Sequence, residues 1–317
     1  MSKTQTSSLL TDQVAFDRIA YFALRSELLF DAVADVMPVA QAMPGSSVKF
    51  TIFNDLAAVT STLTEDTDVT PVAMSDSQIE VTLAEYGNAV NTTAKLRGTS
   101  FLDVDSAAAN IVGYNAGISI DGVIRDVLSA GTNVIYGGGG ATDPSSRATV
   151  AAEDIIEAND VRKIVAALRS ANTVSFNGMY MSFIHPDVSY DLRRETGVAS
   201  WRDPHVYVDV AGIYNGEVGA FEGVRFIETP RAKIFADAGA SSTVDVYCTH
   251  IVGRQALAKA HSIVDGNGPF PRVVRGPVVD VLSRFQPVGW YWLGGYARFR
   301  EASLRRIESS SSIGANA

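Results

Sequence analysis

Val48-Lys49-Phe50-Thr51-Ile52-Phe53 and Ile79-Glu80-Val81-Thr82-Leu83 are two short runs rich in β-branched and aromatic residues. Polar and apolar positions alternate in both, the period of a half-buried strand. The chain between them is rich in Thr, Asp and Ser, and its middle, Glu65-Asp66-Thr67-Asp68-Val69-Thr70-Pro71, holds almost nothing with which to build a core. Residues 47–97 therefore read as a long two-stranded excursion. A lone two-stranded ribbon is marginal in water. Something outside the ribbon must hold it, so the expectation is a protruding hairpin ordered by a neighbouring subunit.

Working outward, Ile19, Phe22, Leu29, Val33 and Val36 form a helical stripe broken only at Ser26, which predicts an amphipathic N-terminal helix ending near Pro38. Downstream of the ribbon, Asp103 or Asp105 is placed to cap a helix. Ile111, Tyr114, Ile118, Ile124, Val127 and Leu128 recur along it, and Gly131 stops it. At 1.5 Å per residue this spine is ~40 Å long. Gly113, Gly117 and Gly122 inside it each cost ~1 kcal/mol relative to Ala, which calls for close approach of another backbone.

Gly137-Gly138-Gly139-Gly140 reads as a flexible loop. Val161, Ile164, Val165 and Leu168 give a helix, residues 179–184 a strand, and His185-Pro186 leads into a short helix over 187–194. Strands are expected at 224–228 and 244–249, and a helix near 254–260. Residues 288–299 are aromatic or aliphatic on both parities, as in a hairpin or a bent strand buried on both faces. The Ser-rich stretch 309–317 is expected to be disordered. Helices and antiparallel strands without regular β-α alternation define an α+β class.

The 317 residues carry a net charge of −9, which argues against strong electrostatic binding of nucleic acid. The charge is uneven. Residues 1–100 hold six Lys/Arg against twelve Asp/Glu, and residues 251–317 hold nine against four. The two regions should attract each other, within one chain or between copies. The single cysteine, Cys248, excludes an intrachain disulfide and fits a reducing compartment. The N-terminal stretch is interrupted by Asp12, Asp17, Arg18, Arg25 and Glu27, so neither a signal peptide nor a membrane segment is expected.

The candidate chemistry is thin. No Gly-Lys-Ser/Thr follows the glycine run, so a mobile loop is favoured over a phosphate cradle. The four histidines, His185, His205, His250 and His261, lack zinc spacing. Cys248 and His250 share a face if the segment is a strand, which permits a nucleophile pair; a small buried cysteine is the favoured reading. Glu65, Asp66 and Asp68 lack a calcium-loop pattern and read as a solvated acidic tip. Trp290, Tyr291 and Trp292 read as a buried strand rather than a base-stacking platform. No catalytic, cofactor or metal residue is assigned, and no enzyme is expected.

N-terminal arm, extended hairpin, spine helix, mixed lobe and C-terminal strands, in that order, resemble the major capsid proteins of tailed phages with the Hong Kong 97-like fold. Gly45-Ser46-Ser47-Val48-Lys49-Phe50, Leu63-Thr64-Glu65-Asp66-Thr67 and Val81-Thr82-Leu83-Ala84-Glu85-Tyr86-Gly87-Asn88-Ala89-Val90 resemble the phage N-four type, as do Ile184-His185-Pro186-Asp187 and Pro287-Val288-Gly289-Trp290 further on. The resemblance covers about residues 15–308. It implies an N-terminal arm at 1–45, an extended loop at 46–100, a peripheral domain from 101–150 and 265–317, and an axial domain at 151–264. It also implies a virion subunit that assembles in the bacterial host cytoplasm as pentamers and hexamers around double-stranded DNA. Portal, scaffolding and decoration proteins would be its partners, with weak, non-specific DNA contact and no membrane. On this reading Glu65, Asp66 and Asp68 of one copy meet Arg298, Arg300, Arg305 and Arg306 of the next. The competing expectations are an encapsulin-like nanocompartment shell and an α+β hydrolase using Cys248 or His185.

Overall fold

The computed structural model describes residues 29–36, 47–53, 56–66, 68–100, 104–140, 142–195, 217–262, 268–277, 280–282 and 284–313. Its longest strand is β13 (Phe285–Arg298), and the aromatic C-terminal run is therefore one strand rather than a hairpin. β4 (Ala84–Thr93) pairs with one edge of it from Phe285↔Thr93 to Gly294↔Ala84. Along the other edge lie β12 (Arg272–Arg275) and then β11 (Leu257–His261). β1 (Ala34–Val36) extends the sheet by pairing parallel to β11.

The spine helix, α2 (Val104–Ser129), packs on β13 and β4 and follows the short α1 (Ala94–Thr99). Val112, Ala116, Ile120, Ile124 and Leu128 recur every four residues, and this stripe is buried against Trp290, Trp292 and Tyr296. Trp290 Nε1 donates to Asn115 Oδ1 at 2.9 Å, which satisfies the indole on the buried face. Gly113 and Gly117 are buried, but a Cβ at Gly122 would meet nothing within 4 Å, so close packing does not explain that glycine.

A second sheet of seven strands lies in the order β5 (Val134–Tyr136), β14 (Leu304–Ser309), β10 (Val246–Val252), β6 (Tyr180–Ile184), β8 (Val224–Glu228) and β7 (Glu217–Phe221), with β9 (Ile234–Phe235) beside β10. All seven residues of β10 are buried, as befits a central strand. α3 (Ala158–Ser170) sends Val161, Ile164, Val165 and Leu168 into a core with Tyr180, Phe226 and Ile251. α4 (Pro186–Arg194) adds Val188 and Leu192. Phe183 and Val252 of this sheet share a core cluster with Ile120 of the spine helix and with Trp290 and Trp292 of the other sheet, so the spine helix lies at the junction.

Four expectations are corrected. Residues 30–36 are a 3-10 turn, Phe30–Val33, followed by β1, not the end of an α-helix; residues 19–28 and Pro38 lie outside the described residues. Phe30 and Val33 share a face in either helix type, so spacing alone did not separate them. The helix expected near 254–260 is a turn, with Gln255 at φ 60°, leading into β11. The glycine run is close-packed, not loose. A Cβ at Gly137 would lie 2.5 Å from Asp154 O, and one at Gly139 2.7 Å from Ile155 Cγ1. Its amides are already used, with Gly137 N donating to Glu308 O at 2.9 Å and Gly138 N to Asp160 Oδ2 at 3.0 Å, so no anion cradle is open. Finally, Ser309, Ser310 and Ser311 are fully buried, and Ser311 Oγ donates to Asp191 Oδ2 at 2.9 Å.

Candidate assembly surfaces

β2 (Ser47–Phe53) and β3 (Asp76–Thr82) pair antiparallel over seven residues, from Ser47↔Thr82 to Phe53↔Asp76. The root of this ribbon is anchored: Val48 and Val81 are buried with Ala258, Ala260 and Phe299, and Phe50, Ile52, Ile79 and Leu83 pack half-buried against the same cluster. Gly295 makes room for it, since a Cβ there would lie 2.1 Å from Thr82 O. Beyond the root, Leu56, Val59, Leu63, Val69, Val72 and Met74 are 56–79% exposed. Apolar side chains so concentrated on one projection mark an interaction surface. Sequence reading missed them because Thr, Ser and Asp separate them, although the residues themselves were the available signal. Glu65, Asp66 and Asp68 are exposed on the same segment, so the acidic tip is solvated.

The four arginines do not form one basic face. Arg306 is 8% exposed; its Nε donates to Glu308 Oε1 at 2.7 Å and its Nη1 to the carbonyls of Ser129 and Gly131 at the end of the spine helix. Its charge offsets a buried carboxylate and the negative end of the helix dipole, so it is not a docking residue. Arg298 pairs with Glu301 at 2.9 Å, and Arg300 Nη2 donates to Ala171 O at 3.1 Å. Arg305 is half-buried on β14.

Side chains alternate along β13 and β4, so the face opposite the spine carries the odd-numbered positions. There a groove of about 840 Å³ is lined by the small residues Gly87, Ala89 and Gly289, by Val274, Tyr291 and Leu293, and by the charged Glu85 and Arg272. Small lining residues leave space that bulky apolar side chains can fill.

Cys248 and His250 do meet on β10. His250 Nε2 lies 3.3 Å from Cys248 Sγ and 3.1 Å from Ser129 Oγ. Burial pushes the Cys248 thiol up to about 12, and burial, reinforced by the charges of Arg306 and Arg125, pushes His250 down to about 3. Both groups stay neutral and shut from solvent, so the pair holds no thiolate and admits no substrate. His185 caps α4, its Nδ1 accepting from Asp187 N at 3.3 Å ahead of Pro186 at the first helical position. Among the described residues no group of His, Cys, Asp and Glu could hold a metal, and no helix is long and apolar enough to cross a membrane.

His250 has a pH consequence. Its folded pKa is far below its ordinary 6.5, so its contribution is intact above about pH 6.5 and drains as pH falls toward 3. Asp121, Asp154 and Glu157 are raised by burial and act in the opposite sense. The expected result is therefore differential: urea unfolding of His250→Gln loses less stability between pH 7 and 4 than wild type. Parallel curves for the two proteins would remove His250 as a cause.

A two-stranded projection, a long helix laid on a five-stranded sheet and a second mixed lobe are the architecture of the Hong Kong 97-like fold. The capsid of Ralstonia phage GP4 is similar, with a TM-score of 0.73 and 17% identity, over 92% of this chain and 91% of that one. The capsid of cyanophage Pam1 gives 0.67 and 16%, over 89% of each chain. That of Helicobacter pylori bacteriophage KHP30 gives 0.61 and 13%, over 91% and 90%. No curated protein matches in sequence. The family model for phage capsid protein matches residues 5–313, and the chain belongs to that family. It is a major capsid protein, and neither a nanocompartment shell nor a hydrolase is favoured.

Proposed function

We propose that copies of this chain assemble as pentamers and hexamers into an icosahedral shell around double-stranded DNA, each ribbon lying on the next copy. One observation carries this reading: six exposed apolar side chains lie on the segment between the two ribbon strands, beyond the part of the ribbon that packs on its own subunit. Fully burying a side chain of this size contributes about 1.5–3 kcal/mol, a gain the lone subunit forgoes. The groove over Gly87, Ala89 and Gly289, where Val274, Tyr291 and Leu293 offer apolar surface beside Glu85 and Arg272, is the receiving surface. Contacts from Glu65, Asp66 and Asp68 to Arg300 and Arg305 of the neighbour are a secondary, salt-screened contribution. The net charge of −9 suits a wall that releases its DNA. Portal, scaffolding and decoration proteins complete the set of partners, and assembly takes place in the host cytoplasm.

The test is size-exclusion chromatography of the expressed chain followed by negative-stain imaging, with nuclease digestion of particles isolated from infected cells. Closed particles holding nuclease-protected DNA are the expected result. A chain that stays monomeric at all concentrations and salts overturns the proposal. Particles that hold a cargo protein and no protected DNA would replace it with the nanocompartment.

A further inference from the structure

β4 borders the five-stranded sheet, and among the described residues no strand pairs with it on the side away from β13. Ala94 N donates to Arg284 O at 2.7 Å, and that bond fixes the phase of the ladder. Backbone groups of the even-numbered residues turn to β13, and those of Glu85, Gly87, Ala89 and Asn91 turn outward. The outward Ala89 N–H is held at 2.9 Å by Oδ1 of the adjacent Asn88, a side chain standing in for a partner strand. Glu85 and all of Gly87 to Asn91 are exposed.

An open edge is a template for another strand, and natural sheets blunt theirs with shortness, charge, proline or a bulge. The other outer strands of this subunit follow that rule. β1 and β5 are three residues long, β7 is bulged between Glu217 and Gly219, and β12 has four residues with an arginine at each end. The ribbon strands carry Lys49, Asp76 and Glu80. β4 has ten residues, no proline, an unbroken register and a single charge, Glu85. None of the usual protections is present.

A second copy of the same edge fits it. Two copies of one strand paired antiparallel are related by a two-fold axis, the self-complementary kind of contact. Centred on Ala89, such a pair sets Gly87 opposite Asn91 and Glu85 opposite Thr93, so the one charge meets a hydroxyl rather than its own copy. The axis is perpendicular to the sheet and keeps both spine helices on one side of a continuous layer, as a shell wall requires. Neighbours within a ring of five or six meet head to tail, so a two-fold contact joins one ring to the next.

We propose that β4 is the seam between rings, its outer edge pairing antiparallel with β4 of a second copy about an axis at Ala89. The inference rests on the self-assembly proposed above. On pairing, the Asn88 side chain gives up the Ala89 N–H to the partner strand.

Ala89→Cys tests the register. Opposed hydrogen-bonded residues have Cα atoms ~5.5 Å apart, within the span of a disulfide. Cys248, the one native cysteine, is buried and stays silent. Mild oxidation of assembled particles should link most Ala89→Cys chains into dimers on a non-reducing gel. Glu85→Cys, ~27 Å from its own copy in this register, should stay monomeric. Asn91→Pro removes an outward N–H and keeps the β13 ladder, as proline does on edge strands, so free rings should replace closed shells. Should Asn91→Pro misfold, Ala89→Lys, which opposes two like charges at the axis, is read in its place. Three results overturn the inference and leave self-assembly standing: closed Ala89→Cys particles without the dimer, equal dimer yields at both positions, or a link from the introduced thiol to a chain of different mass. A wild-type chain that forms no particles overturns the self-assembly reading itself.

Discussion

Glu308→Ala lowers the unfolding free energy of the subunit by roughly 3–5 kcal/mol, the usual loss when one partner of a buried ion network is removed. Glu308 is fully buried on β14 and holds two guanidinium groups. Arg147 bonds it through Nε at 2.8 Å and Nη2 at 2.6 Å, and Arg306 bonds it through Nε at 2.7 Å. Deleting the carboxylate leaves the Arg306 charge, 9% exposed, without its counter-ion. That same guanidinium closes the end of the spine helix through the Ser129 and Gly131 carbonyls, so the damage reaches the joint between the helix and the second sheet. The contrast is Glu222→Ala, which breaks an exposed pair with Arg162 and costs under ~1 kcal/mol. Urea titrations of both variants measure the difference. Equal, small losses would show that the buried network contributes nothing.

That network was invisible in the sequence, which gives the number of charges but not which are spent inside. Arg306 counted toward a basic C-terminal region, yet it serves the helix terminus and Glu308. The spine helix is an intermediate case. Its existence and ends were legible from periodicity and Gly131, but the stripe drawn through Ile111 and Tyr114 is 63% and 51% exposed. The buried face of its first half is carried by Val112 and otherwise by the small Ala108, Ala109, Gly113, Ala116 and Gly117. Hydrophobicity ranks such residues low, whereas close packing of a helix on a sheet favours them for their size. β11 was misread for a related reason: Lys259 looks like the outer face of a helix, and only its partner Asp31, more than two hundred residues earlier, makes it a core residue. The ribbon was legible because both strands alternate and the polar stretch between them is long. Its apolar side chains were not, because their significance lies in their exposure, which only the folded chain reveals.

Leu63→Asp/Val72→Asp should abolish shell assembly while leaving the subunit folded. Leu63 and Val72 are 74% and 75% exposed, so the lone chain loses no packing when they change. In a shell that buries them on a neighbour, each forfeits about 1.5–3 kcal/mol and takes a charge out of water. The loss recurs at every copy, so even the lower figure multiplies over a closed lattice into complete failure of assembly. Charge alone is a weaker lever: neutralising Glu65, Asp66 and Asp68 together removes only screened, solvent-exposed contacts and should shift the salt dependence of assembly without preventing it. Val81→Asp provides the opposite control, since Val81 is fully buried at the ribbon root and its replacement strikes the fold itself. Light scattering on refolded chains separates the three outcomes. Wild-type shells from Leu63→Asp/Val72→Asp would mean that the ribbon tip stays in solvent and that some other surface closes the lattice.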